Sequence, residues 1–109
     1  MTIKELAEKL GLAALTPVTD KQVTGVYISD MVSDVIANAR PGNVLVTIQV
    51  HNNVIAAANL VDIAGIVLTR GRKPSDEMLA LAQKAGIPVL STSMDTWQVA
   101  GRMYESGIR

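Results

Sequence analysis

Gly65-Ile-Val-Leu-Thr-Arg-Gly-Arg-Lys-Pro74 runs directly into Ser75-Asp-Glu-Met-Leu-Ala-Leu-Ala-Gln-Lys-Ala-Gly86 and then Ile87-Pro-Val-Leu-Ser-Thr92, and this stretch decides the fold. An apolar run ends in a threonine and a cationic glycine loop. Ser75 then offers an oxygen to cap a helix, which Gly86 closes, and a second apolar run follows. The pattern predicts one strand-helix-strand unit whose polar cluster lies at a strand's carboxyl end, the edge at which open α/β sheets bind ligands.

The same alternation extends outward in both directions. Thr2 and Glu5 make a capping-box pattern, and Ile3, Leu6, Ala7 and Leu10 recur at helical spacing until Gly11, so a short first helix is expected. Leu12 to Gln22 contains Pro17 and little periodicity, and reads as a connection. Val23 to Ile28 is the first predicted strand, with Ser29 and Asp30 as capping oxygens for a helix over Met31 to Ala39. Val32, Val35, Ile36 and Ala39 share that helix's apolar face.

Val44 to Val50 is the second strand, and His51-Asn-Asn53 leads into a helix through about Val61 with Val54, Ala58 and Val61 on one side. Ile63 to Thr69 is the third strand, Ser75 to Ala85 a helix and Pro88 to Ser91 the fourth strand. A last helix spans about Asp95 to Glu105, with Trp97, Ala100 and Tyr104, and Val99 and Met103 beside them, as its apolar face. Trp97 and Tyr104 are expected in the core, with a nucleobase-stacking platform as the sharper alternative.

The expected fold is therefore a single three-layer α/β domain over residues 1–109. Residues 1–22 form an amino-terminal helix and connection, and 23–109 an alternating core. Its mainly parallel sheet of four or five strands is covered by helices on both faces. A strand order of 2-1-3-4 is the working topology. It places a switch point between the first and third strands and makes Asp30 and Arg70 neighbours.

Composition agrees with one packed domain. Hydrophobic residues make up 49% of the chain, almost all aliphatic and with no Phe, which suits a parallel sheet buried between helices. Ten basic and ten acidic side chains cancel, so no global field favours nucleic acid or an anionic membrane, and neither is expected as a partner. With no Cys and His51 the sole histidine, thiolate chemistry and cysteine-based metal sites are excluded, and no metal or cofactor is expected. The first ten residues lack a signal peptide's continuous apolar region, and no run approaches the roughly 20 apolar residues of a membrane span. A cytoplasmic protein is expected.

The candidate ligand-binding residues gather at the predicted strand ends: Ser29 and Asp30; Thr69, Arg70, Gly71, Arg72 and Lys73; and Thr92, Asp95 and Thr96. Gly71 would let backbone amides approach an anion such as phosphate while the three cations surround it. Short polar residues at these positions are equally what helix starts require, and cations in a loop are often simply solvated. Asp30 and Asp95 could form an acid/base pair or cap two helices; His51 carries no partner motif. There is no Gly-x-x-x-x-Gly-Lys-Ser/Thr loop, no Gly-x-Gly-x-x-Gly fingerprint and no histidine metal motif, so no catalytic residue is assigned.

Val23-Thr-Gly-Val-Tyr-Ile-Ser-Asp-Met31, Leu68-Thr-Arg-Gly71, Gly86-Ile-Pro-Val-Leu90 and Asp95-Thr-Trp97, in that order, resemble a DRTGG domain over nearly the whole chain. In that family an Asp-Arg pair follows the first strand and a Thr-Gly-Gly follows a later one. Here Asp30, Thr69 and Gly71 match, Met31 replaces the Arg and Arg70 replaces a Gly. DRTGG domains stand beside catalytic domains in some phosphotransacetylases and in pyrophosphatases with CBS modules, and are similar to the amino-terminal domain of HPr kinase/phosphorylase. The resemblance implies a regulatory or oligomerising module; the cationic glycine loop on a domain without catalytic equipment makes it expected to be non-catalytic, a homodimer, and to bind a phosphorylated metabolite or nucleotide at its strand-end loops or dock onto a larger enzyme. The alternatives are an accessory subunit of a larger enzyme, a redox enzyme among the candidates, and a phosphoryl or acyl transferase using Asp30 and Arg70.

Overall fold

The four apolar runs become neighbouring strands in the order in which they occur along the chain. In the computed structural model, which describes residues 1–109, the elements are α1 (Ile3–Leu10), β1 (Ala13–Ala14), β2 (Gly25–Ile28), α2 (Val32–Asn38), β3 (Asn43–Thr47), α3 (Asn52–Val61), β4 (Gly65–Leu68), α4 (Asp76–Ala85), β5 (Val89–Ser91) and α5 (Thr96–Glu105). The sheet order is β1-β5-β4-β3-β2, with β2 to β5 parallel and β1 antiparallel to β5.

This order corrects the 2-1-3-4 expectation. Each crossover helix joins two adjacent strands and the series always advances in one direction, so right-handed crossovers place α2, α3 and α4 on one face. A switch point would have required the series to reverse. The opposite face is covered instead by the helices outside the crossovers, α1 and α5.

Two apolar clusters result, one on each side of the sheet. Leu45, Ile66, Leu68 and Val89 meet Val35, Val54, Ile55, Met78 and Ala82 on the first side. Val44, Val46, Val67 and Leu90 meet Ile3, Leu6, Leu10, Val99 and Met103 on the second. Alternate residues of each strand thus feed opposite clusters, as the pleat requires. Each fully buried Ile, Leu or Val stabilises by about 1.5–3 kcal/mol, so the aliphatic composition is itself the source of the fold's strength.

Local signals behave as their chemistry dictates at most helix ends. Thr2 and Glu5 form the expected capping box, and the Thr2 amide and hydroxyl hold the Glu5 carboxyl below its usual range. Ser75 caps α4 by accepting from the Met78 amide at 3.1 Å. Asp95 and Gln98 form a second capping box on α5.

Three expectations need correction. The Leu12 to Gln22 connection contains β1, and its Thr16 is buried: the hydroxyl donates to the Ile87 carbonyl at 3.0 Å and accepts from the Val89 amide at 2.8 Å. On α2 only Val35 is buried, and Ile36 is exposed. On α5 the core is reached by Val99 and Met103, whereas Trp97 and Tyr104 are 83% and 60% exposed. Their spacing does place them on one helix face, but that face points outward.

Candidate functional site

The loop after β4 is built by a tight turn. Arg70 and Gly71 have φ of 59° and 64°, and the Arg72 amide donates back to the Thr69 carbonyl at 3.3 Å. Two successive positive φ values define a primed turn, which glycine enters freely and an arginine enters at a steric cost. The Arg70 amide donates to the Met94 carbonyl at 2.9 Å and the Gly71 amide to the Thr92 carbonyl at 2.8 Å. These amides therefore stitch the loop to the chain after β5, and the backbone cradle expected around Gly71 does not form.

What the turn leaves free is side chains. An open cleft of about 570 Å³ lies between Gly71–Pro74, Ser91, Thr92 and Ser93, and Ala13 and Leu15 on the β1 side. Arg72 and Lys73 are its charged lining residues, and no carboxylate lines it. Both cations are exposed and unpaired, since the molecule's ion pair joins Lys21 to Asp62 elsewhere. Asp76 and Glu77 occupy the first turn of α4, where they answer the helix's positive end and leave the cleft's charge to Arg72 and Lys73.

The loop after β2 is arranged differently. Asp30 accepts from the Thr47 hydroxyl and from the Ile48 amide, both at 2.9 Å, while its carbonyl accepts from Gln49 Nε2 at 3.0 Å. Its carboxylate thus closes the end of β3 instead of capping α2, whose N-cap is Met31 with no side-chain bond. Ser29 Oγ accepts from the Met31 amide at 3.2 Å.

Beside this loop, Tyr27 and Asn38 each donate to Asp34 at 2.8 Å. The Asp34 carboxyl is held below its usual range by the Ser29 hydroxyl, the Tyr27 phenol and the Asn38 amide; of these the phenol and amide are in direct contact, and the Ser29 hydroxyl is turned to the Met31 carbonyl. The hydrogen bond to Asp34, with burial and the carboxylate's charge, raises the Tyr27 phenol above its usual value.

Asp30 and Arg70 are consequently not neighbours. β3 separates the strands that precede them, a gap of about 10 Å at ordinary strand spacing, and no ion pair joins them. Thr69 continues the alternation of Gly65 and Val67 onto the α1 and α5 face, where its hydroxyl is fully buried and has no hydrogen-bond partner. It is closed to any ligand from the cleft.

The structure therefore gathers Gly71, Arg72, Lys73 and Thr92 of the sequence-named residues around one cleft. Ser29 and Asp30 lie at the β2 and β3 ends, Thr69 is interior, Arg70 is exposed outside the lining, Asp95 caps α5 and Thr96 begins it. Sequence reasoning placed Ser93 in the loop after the fourth strand without assigning it to the site, and missed Ser91, Ala13 and Leu15. The signal for the last two was a short apolar run before Pro17, too brief to distinguish from a loop. His51 accepts from the Asn53 amide at 3.3 Å and caps α3, and no three His, Asp or Glu side chains converge as a metal cluster.

These features define a small, mainly parallel α/β domain with its polar cleft beyond the carboxyl ends of β4 and β5. The chain belongs to the DRTGG domain family, whose model matches residues 5–106. Its fold is similar to the crystal structure of the CBS and DRTGG domains of the regulatory region of Clostridium perfringens pyrophosphatase, complexed with the activator diadenosine tetraphosphate. The TM-score is 0.72 at 17% identity, over 96% of this chain and 46% of that one. The chain thus spans under half the length of that structure, and no curated protein matches it. No helix is long and apolar enough to cross a membrane. In this chain both positions after Thr69 take positive φ, a conformation that glycine enters freely.

Proposed function

We propose that this protein is a non-catalytic regulatory module of the cytoplasm, working as a homodimer, whose cleft receives a phosphorylated metabolite or nucleotide. The carrying observation is the cleft's chemistry: two unpaired cations and three hydroxyl-bearing residues line a common space with no carboxylate among them, although the Thr92 hydroxyl also accepts from the Met94 amide at 3.2 Å. About 570 Å³ suits a small ligand, since such sites span about 300–1,000 Å³. Arg72 is suited to a bidentate grip on phosphate, with Lys73 as a point charge and Ser91, Thr92 and Ser93 as neutral donors. Leu15, Pro74 and Leu79 offer the ligand's body an apolar flank. The nucleotide activator bound to the similar pyrophosphatase region supports a nucleotide among the ligands.

Isothermal titration calorimetry with pyrophosphate, ATP and coenzyme A tests the reading. Binding of at least one is expected, and Arg72→Ala combined with Lys73→Ala should remove about 1.5–3 kcal/mol of it, roughly tenfold to 150-fold in affinity. Because both side chains are exposed and unpaired, the double variant should unfold within about 0.5 kcal/mol of the parent. No heat from any of the three, or an unchanged affinity in the double variant, rejects the proposal.

A second reading, an accessory subunit of a larger enzyme, is favoured by the outer face of α3 and α4. Leu60 and Leu81 are 72% and 40% exposed there, and a groove of about 340 Å³ runs between the two helices beside Leu81. Co-elution with a defined enzyme, in the absence of any phosphate response, would favour it. The transferase alternative rested on Asp30 beside Arg70, and that pair is not assembled.

A further inference from the structure

Gly101 stands at the middle of the outward face of α5. Val99 and Met103 point into the core, and helical rotation of about 100° per residue puts Gly101 opposite them. A glycine inside a helix weakens it relative to alanine. Nothing within this chain calls for one, because a Cβ at position 101 would meet no atom within 4 Å. The missing side chain leaves a groove of about 380 Å³ bordered by Trp97, Gln98, Arg102 and Glu105. Trp97 and Tyr104 flank the glycine on one side, 83% and 60% exposed, and Gln98 and Glu105 flank it on the other.

Resting on the homodimeric reading above, we propose that two copies of this chain pair through α5, antiparallel, with the helices crossing at Gly101. The face is self-complementary under that symmetry. At about 1.5 Å rise per residue, Trp97 lies about 6 Å before Gly101 and Tyr104 about 4.5 Å after it. A two-fold axis across the helices keeps each flank against the same flank of the other copy while reversing its direction. Trp97 of each copy then lands against Tyr104 of the other, twice, and glycine lets the two backbones approach. Arg109 covers one face of the Tyr104 ring, its guanidinium carbon 3.8 Å from the centroid, and leaves the rest available.

A parallel pairing would set the aromatic flank against Gln98 and Glu105 and lose this match. The same axis sets Gln98 of each copy against Glu105 of the other and brings the two exposed Arg102 side chains, about 1.5 Å along the helix from Gly101, to one solvent-facing border, where salt screens their repulsion. Buried aromatic anchors ringed by polar groups are the usual energetic centre of an interface. The pairing is independent of the cleft, which lies on other elements.

The full 109-residue chain provides the test, because it contains no cysteine. Wild type is expected to sediment as a dimer, and Trp97 fluorescence should shift to shorter wavelength as concentration rises. Gly101→Cys should oxidise to a covalent dimer, since the position faces its own copy across the axis. Gly101→Arg projects into open space within one copy, so circular dichroism should be preserved while association weakens by at least about thirtyfold, the effect of one hot-spot side chain. A monomeric wild type overturns the proposal. So does a dimer that Gly101→Arg leaves intact and Gly101→Cys does not cross-link, which would move the interface elsewhere or leave this face to a different partner.

Discussion

The loops after β2 and β4 leave the same edge of one sheet and use their polar groups in opposite ways. After β2 the carboxylate of Asp30 is drawn back onto the fold by the Thr47 hydroxyl and the Ile48 amide. β3 has ended there, and its last donors need an acceptor. After β4 the equivalent donors are already satisfied, Arg70 by Met94 and Gly71 by Thr92 through their backbones. The cations of that loop have nothing to hold and face the solvent. A polar strand-end residue is thus a candidate for binding only once the local backbone donors have been counted.

Replacing the carboxylate should produce the largest effect on stability. Asp30→Ala removes two charge-assisted hydrogen bonds, and about 1.5–3 kcal/mol is expected in a denaturant titration, toward the low end because the residue is exposed. Anion affinity should not change. If Asp30→Ala instead weakened anion binding as much as the loss of Arg72 and Lys73, the contrast between the two loops would be false.

A smaller change, of opposite sign, is expected at Arg70. A left-handed conformation costs a non-glycine residue about 1–2 kcal/mol, and glycine returns about 0.5–1 of that as lost unfolded-state entropy. Arg70→Gly should therefore stabilise the protein by about 0.5 kcal/mol, read as a modest rise in the unfolding midpoint. Restoring the family's glycine also separates strain from function. If affinity falls as stability rises, Arg70 reaches the ligand despite lying outside the lining. A lower midpoint would show that the turn does not strain arginine at all.

Much of the fold could be read from the sequence because local signals and the global structure agree. The Ser75 and Asp95 caps, the closure at Gly86 and the apolar runs all specify elements through contacts within a few residues. Strand order could not be read in the same way. Adjacent and switched orders use the same strands and crossover lengths, and what separates them is the packing of α1 and α5 onto the second face. Trp97 and Tyr104 show a related limit: spacing fixes which residues share a helix face but not which face the sheet receives. At the site, Arg72 and Lys73 were visible as cations in a loop. Their convergence with Ser91 to Ser93 depended on the turn at Arg70 and on β1, which Thr16 pins to β5 across more than 70 residues of chain.

The smallest expected effect lies beside Asp30, where Tyr27 donates to Asp34. The Asp34 pKa is lowered from 3.8 by the Ser29 hydroxyl, the Tyr27 phenol and the Asn38 amide. A folded value below the unfolded one means that Asp34 stabilises the fold fully above about pH 4, and that this contribution is lost as pH falls through the lowered value. The Tyr27 pKa is raised, so its contribution holds below about pH 10 and is lost as pH rises through the folded value. Tyr27→Phe should shift the Asp34 titration, followed by carboxyl NMR, back toward its ordinary range. It should also make the melting temperature less steep in pH below about 4 and remove the alkaline loss. An Asp34 titration identical in both proteins would transfer the shift to Asn38 and Ser29. In that case the hydrogen bonds holding the β2 side of the edge would centre on α2 and not on the strand.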